Sequence, residues 1–436
     1  MRKMKKSGLA ISALGLIFGL TGCSSEKQET APIEVVTTIE EPVKIEFWHA
    51  MSGAFADTIA EIVNDFNTGR GKELGITVEA VYQGSYDDLN SKTMAAIKAK
   101  KAPQVVQGTS NSIMELIGSG VVQPLNDYVF NETVGMSDYD DIYEVYRQEG
   151  ASFDEAGTIY AIPFSKSTDL YFYNKQFFDE HGLSVPTTWD ELVEVSKQIT
   201  AITGNPALGI DNLPNYFITY LTQAGAPYTN RQGEVLFNHQ ASIEILTDLK
   251  EHIDGGYWRI GGEDIYHSGP FMSGLVMSYI GSSAGAGYLT NDIEWATAPI
   301  PQVNPEQPAY IQQGNVVSVL NQGATNEEVY AAYEFVKYLS GYEAGLKWAQ
   351  QTGYLPLRES IANSETFLTH LEQTNDKVKA NGVESIKHAF VEPLFVTETY
   401  LTSNYVRNQI GVMIEEILLT NATIEETLDR YESMLK

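Results

Sequence analysis

Gly281-Ser282-Ser283-Ala284-Gly285 is the stretch with the most explicit chemistry in this chain. It matches G-x-S-x-G and follows an apolar run that reads as a strand, the setting in which a nucleophile elbow lifts a serine off the end of a sheet. Asp376 and His388 come later in the order that such a triad uses. Two features stand against an esterase with Ser283 as nucleophile. No HGGG-type oxyanion segment exists, and His388 lies in "SIKHAF", which reads as a helix face. The same loop has another use. Gly281 and Gly285 allow close backbone approach, and N–H groups ahead of the next helix, with the Ser282 hydroxyl, can hold an anion or hydroxyls.

Metal chemistry has little support. The seven histidines (49, 181, 239, 252, 267, 370 and 388) form no HExxH or other compact ligand pattern. Cys23 is the only cysteine, so no disulfide or thiolate site is expected, and no cofactor either. The aromatics are more suggestive. Trp48, Tyr86 and Tyr354 fall at expected turns near glycine, where a core aromatic is out of place. An exposed ring with polar neighbours suits a polyol or sugar, which stacks its C–H face and hydrogen-bonds its edges.

The elements that must position these residues alternate. Residues 43–48 read as a strand that delivers Trp48 and His49 to a strand-to-helix turn. A helix around 55–67 carries Ile59, Ile62, Val63 and Phe66 on one face. A strand at 75–82, a helix capped by Ser85 with Asp88, a short strand "PQVVQG" and the helix "SIMELIGSG" follow. This βαβαβ order implies a parallel sheet with right-handed crossovers, and ligands bind beyond the carboxyl ends of such strands. A second block starts after 159–175. It has a capping box at Thr188 and Glu191, a helix with Asn238 as cap and Gly255 as stop, and strands at "GLVMSYI", "WATAPI" and "NVVSVL". Beyond 325 the chain reads as mostly helical, with a loop at "TGYLP" and a capping box at Thr423 and Glu426. At 436 residues, two domains are expected.

The N-terminus reads as an export signal. "MRKMKK" supplies four basic residues, thirteen apolar residues follow, and "LTGC" ends at Cys23. That pattern predicts a lipoprotein signal peptide at 1–22, acylation of Cys23, and a flexible lipidated linker over 23–42. The protein is then exported, lipid-anchored to the cell membrane and faces outside. Its net charge of −29 excludes nucleic acid and anionic membrane surfaces as partners.

Several longer motifs are shared with one family. "EFWHAMSG", "YQGSYDDLNSKTMAAIKAKKAPQVVQ", "IPFSKSTDLYFYNK", "GSSAG", "QQGNVVSVL" and "QQTGYLPL" run along nearly the whole mature chain. In them the sequence resembles the UgpB-like glycerol-3-phosphate-binding proteins, within the family 1 solute-binding subunits of ABC importers that include maltose-binding protein. The resemblance implies a non-enzymatic α/β fold, periplasmic-binding-protein-like, with two lobes and an interlobe ligand cleft. The lobes would be 43–163 plus 314–356, and 164–313 plus 357–436. It implies a monomer that captures glycerol 3-phosphate or a glycerophosphodiester and delivers it to ABC permease subunits. Carried over by motif, the ligand contacts fall at Tyr86, Ser167, Ser282, Gly314 and Tyr354, with Trp48 and His49 facing the cleft. The family's late arginine falls at Arg407 or, on another register, at Gly411. Two positions depart from the pattern. The family's pocket glutamate aligns with Ser110, and its two second-lobe tryptophans align near Asp211 and Pro214. Those losses, and Asp169 beside Thr168, point toward an alternative ligand, an oligosaccharide.

Overall fold

The structure is a computed structural model that describes residues 35–290 and 292–436. The expected signal peptide and Cys23 lie outside the described residues. Residues 35–42 carry no helix or strand. No helix among the described residues is long and apolar enough to cross a membrane.

Ten strands build one sheet system: β1 (Val43–His49), β2 (Ile76–Tyr82), β3 (Val105–Gly108), β4 (Ile162–Asn174), β5 (Leu208–Ile210), β6 (Trp258–Ile260), β7 (Ser278–Ser282), β8 (Trp295–Pro299), β9 (Tyr310–Val319) and β10 (Ala389–Phe390). The order is β2-β1-β3-β9-β4-β7-β5-β6, with β8 on β4 and β10 on β9. As the βαβ pattern requires, β1 pairs in parallel with β2 and β3, and β5 with β6 and β7. The two long strands β4 and β9 run antiparallel to each other and join the two parallel sets. The fold is therefore α/β with a core on each side of a central ribbon.

One core gathers Leu89, Val106, Ile113, Leu116, Phe153 and Val316; the other gathers Tyr171, Leu192, Ile210, Phe217, Leu246, Ile280, Ile410 and Leu428. The helices meet them with their apolar stripes. Helix 54–68 buries Ile59, Ile62, Val63 and Phe66, and helices beginning at 86, 189 and 326 start in capping boxes. Asn238 is not a cap: His239 takes that position, accepting from Ser242 N–H. The expected lobe division at 356 also falls earlier than the packing. Ile361 and Phe367 still pack on Ala349, and the helix Lys377–Ile386 is the first later element to lie on β4 and β8.

The ribbon is pinched where β4 and β9 cross between the cores. The register shifts between Pro163 and Lys166. Gly314 takes φ +105°, and a Cβ there would stand 1.9 Å from the Ser165 carbonyl oxygen. Only glycine fits both the backbone angle and the approach.

Candidate binding cleft

A cleft of about 760 Å³ opens between the two cores, over the ends of the strands. Seven of the nine expected ligand contacts line it: Tyr86, Ser110, Ser167, Ser282, Gly314, Tyr354 and Arg407. Each arrives by a local rule. Tyr86 and Ser110 are first residues of helices capped by Ser85 and Thr109. Ser167, Ser282 and Gly314 sit on β4, β7 and β9, and Arg407 on helix Ser403–Leu419. Gly411 packs against the ring of Pro214 instead.

Trp48 and His49 do not line the cleft, which corrects the expectation. Alternation along β1 puts His49 on the same buried face as Ile45 and Phe47. Its ring lies 5.5 Å from Phe47, and its Nδ1 accepts from the Met51 N–H at 3.2 Å. Burial pushes its pKa down to about 4, so it packs as a neutral ring. Trp48 points the other way, packs on the core around Val106 and Leu116, and donates Nε1–H to Glu46 at 2.8 Å. The next residues, Ala50, Met51 and Ser52, reach the cleft.

The cleft has an aromatic end and a charged end. At the aromatic end Tyr86 and Tyr354 meet hydroxyl to hydroxyl at 3.4 Å, and Asn315 Nδ2–H donates to Tyr86 at 2.9 Å. Tyr354 stacks on Trp348, with centroids 5.5 Å apart. Phe55 stands 5.6 Å from Tyr354 and 6.1 Å from Tyr288, a contact between elements on opposite sides of the cleft.

At the charged end Arg407 is already engaged. It donates to Glu392 Oε1 at 2.6 Å and also to Asn215 Oδ1. Burial works against its charge, but Glu392, Tyr228 and Asp169 outweigh that and raise its pKa further. Asp169 accepts from Asn215 Nδ2–H at 2.9 Å and from Gln313 Nε2–H at 2.6 Å. Burial lifts its pKa to about 6 in spite of those two bonds. Asp211 follows β5, and its Oδ1 accepts from both the N–H and the Nδ1–H of His267, at 2.7 and 2.8 Å. Between the two ends Glu149 accepts from Ser110 at 2.6 Å and from Gln312 at 2.5 Å, and pairs with the fully buried Lys166.

Sequence reasoning missed Glu149, Asn215, Gln312, Gln313 and Glu392. Gln312 and Gln313 open the shared motif "QQGNVVSVL" but were passed over for Gly314; the other three belong to no shared motif, and all five come together only through the fold. Glu149 is the instructive case, because it brings a carboxylate to Ser110, where the family pattern has its glutamate.

The esterase reading does not assemble. Ser283 is fully buried, and its hydroxyl accepts from the Thr168 N–H at 3.4 Å. Asp376 caps helix Lys377–Ile386 and pairs with Lys379. The turn after β7 brings Ser282, Ala284 and Gly285 to the cleft. It is a six-residue 3₁₀ segment in which Ser282 Oγ accepts from Ala284 N–H at 3.3 Å. Among the described residues no group of three His, Cys, Asp or Glu could hold a metal ion.

Known proteins place this architecture. Residues 61–373 match a family described as bacterial extracellular solute-binding protein. The chain is 23% identical over 345 residues to the sn-glycerol-3-phosphate-binding periplasmic protein UgpB of Rhizobium meliloti (strain 1021), covering 72% of this chain and 75% of that one. It is similar in structure to UgpB from Mycobacterium tuberculosis in complex with glycerophosphocholine, with a TM-score of 0.78, 22% identity, and 90% of this chain and 97% of that one covered. It is equally similar to the cyclic alpha-maltosyl-1,6-maltose binding protein from Arthrobacter globiformis, with a TM-score of 0.75, 23% identity, and 90% and 98% covered. The fold is thus the two-lobed one of the maltose-binding type. Since the family match runs through more than half of the sequence, the chain belongs to the bacterial extracellular solute-binding proteins.

Proposed function

We propose that the protein captures a hydroxyl-rich solute of the oligosaccharide class and delivers it to the permease of an ABC importer. The observation that carries this reading is the donor–acceptor balance of the charged end. Glu149, Asp169, Asp211 and Glu392 line the cleft against Arg407 alone, and Arg407 is paired with Glu392. Asp211 Oδ2 and Glu392 Oε2 accept no hydrogen bond from the described residues, whereas their sister oxygens do. Free carboxylate oxygens call for donors, which a sugar's many hydroxyls supply, whereas a glycerol phosphate has two hydroxyls and sets an anion against the same carboxylates. The tyrosines at the other end offer ring faces for the C–H side of a sugar.

A second reading, capture of glycerol 3-phosphate or a glycerophosphodiester, has one observation in its favour: the Arg407 guanidinium does line the cleft. Thermal shift with a panel of maltodextrins and other glycans, beside glycerol 3-phosphate and glycerophosphocholine, separates the two. A ligand bound only by the native state stabilises it by about 2.7 kcal/mol at a hundred times its Kd. A raised melting temperature with glycans and none with the phosphates is expected; the reverse pattern would establish the second reading.

The proposal extends to attachment. Acylated Cys23 would tether the folded body through the segment ahead of β1. Cys23→Ala should leave the fold intact and release the protein from membranes, and unchanged membrane retention would refute the anchor.

A further inference from the structure

Reading the cleft as the solute site, we infer that its occupant carries a positively charged amine, as an amino sugar does, and that Asp211 is the residue that selects for it. Two of the four carboxylates are compensated internally. Glu392 has Arg407, and Glu149 has Lys166. Asp169 and Asp211 have no lysine or arginine in salt-bridge reach among the described residues. Asp169 is met only by the amides of Asn215 and Gln313, and Asp211 by His267. A wall that buries two such groups is short of positive charge, and hydroxyls alone do not supply it.

Asp211 is held for a purpose beyond packing. His267, fully buried, fixes Oδ1 with two donors and leaves Oδ2 without one. The carboxylate leans over Gly281, where a Cβ would stand 2.3 Å from Oδ2. Any side chain at 281 would push it away, which gives the first glycine of "GSSAG" a reason unrelated to an enzyme. Beside it, Tyr279 lines the same cleft, is 2% exposed, and has a hydroxyl with no partner. Gln312 Oε1 and Asn315 Oδ1, on buried cleft-lining side chains of β9, are also unpartnered acceptors. An ammonium, with three donors and no acceptor, matches this surplus better than a hydroxyl, which brings an acceptor with each donor.

The test measures binding of three tetrasaccharides of one linkage, built of glucose, glucosamine and N-acetylglucosamine, by calorimetry at pH 7. The folded chain is compared with Asp211→Asn and Asp169→Asn. The inference expects the glucosamine tetramer to bind at least tenfold tighter than the other two, and Asp211→Asn to bring the ratio of glucosamine-tetramer to glucose-tetramer affinity to within threefold of one. Circular dichroism and melting curves show whether each variant is folded, and Asp169→Asn provides the second variant if Asp211→Asn is not. Equal binding of all three, or a preference that survives both substitutions, overturns the inference and leaves the solute-binding reading standing. Binding of none of them, with glycerol phosphates bound instead, overturns both.

Discussion

The aromatic and charged ends of the cleft are built by opposite means. At the aromatic end the hydroxyls of Tyr86 and Tyr354 meet, Asn315 Nδ2–H donates to Tyr86, Trp348 backs Tyr354, and the rings need nothing from a ligand to be stable. At the charged end carboxylates outnumber cations, one buried aspartate sits far above its ordinary pKa, and acceptor oxygens stay free. The first end provides shape and apolar area; the second stores unmet electrostatic demand. In a cleft that must release its solute, the second is where binding and specificity are decided, because only there does the ligand relieve a cost already present in the free protein.

Removing a cation from beneath the charged end gives the largest effect. Lys166→Ala leaves the Glu149 carboxylate buried without its partner, and about 3–5 kcal/mol of stability should be lost in urea denaturation. Lys166→Met combined with Glu149→Gln should recover most of it. A loss under 1 kcal/mol in the single variant would show that Glu149 is solvated after all.

The pH dependence sharpens the contrast. The folded pKa of Asp169 is raised from 3.8 to about 6, so its contribution to stability is complete below pH 3.8 and is lost as pH rises through 6. His49, in the core below the strand, is lowered from 6.5 to about 4, so its contribution is complete above 6.5 and is lost as pH falls through 4. Each is worth roughly 3 kcal/mol over its window, with opposite sign. Asp169→Asn should make the unfolding free energy fall more steeply on acidification than in the natural chain, and His49→Gln should make it fall less. Superimposable stability–pH curves for either variant would contradict the assigned shift.

Arg407→Ala exposes the difference in ligand terms. It strands Glu392 and Asn215, so about 2–3 kcal/mol of stability should go, discounted for the partial exposure of the pair. If the arginine serves to hold that wall, affinity for a glycan falls at least as far as affinity for glycerol 3-phosphate. A loss confined to the phosphate would make Arg407 an anion site and revive the second reading. The smallest effect belongs to the aromatic end. Tyr354→Phe removes one hydroxyl contact within the protein, so about 1 kcal/mol of stability should go, with solute affinity changed by less than about fivefold. A loss of a hundredfold would mean that this end binds directly through its hydroxyls.

The same contrast explains what the sequence made legible. Tyr86 and Tyr354 announce themselves, since an aromatic beside a glycine turn is unusual and both stand in motifs that the family shares. Strand alternation and caps located most elements. The period of β1 also contained the answer for His49, which shares a face with Ile45 and Phe47, although its neighbour Trp48 suggested otherwise. The charged end was hidden, apart from Arg407, which the resemblance to the family had singled out. Residues 149, 211, 215, 313, 392 and 407 sit on different elements, and no spacing within one segment reveals that Glu392 will meet Arg407 or that Glu149 will stand beside Ser110. Asp169 was noticed by type, but its raised pKa is a property of burial, which only the assembled structure possesses.

The central ribbon has a consequence in time as well as in space. β9, made after residue 309, lies between β3 and β4, and its pairings with β3 span nearly half of the chain. Helix Asn326–Leu339 packs on β1, the earliest strand, while Ile410 and Leu428 complete the other core. Neither half can close until the last third of the polypeptide exists. Contacts this distant make closure slow, so the growing chain stays open and pliable through most of its synthesis. For an extracellular protein that delay is useful, since an unfolded chain is the form that can be threaded across a membrane before its two halves lock around the strand they share.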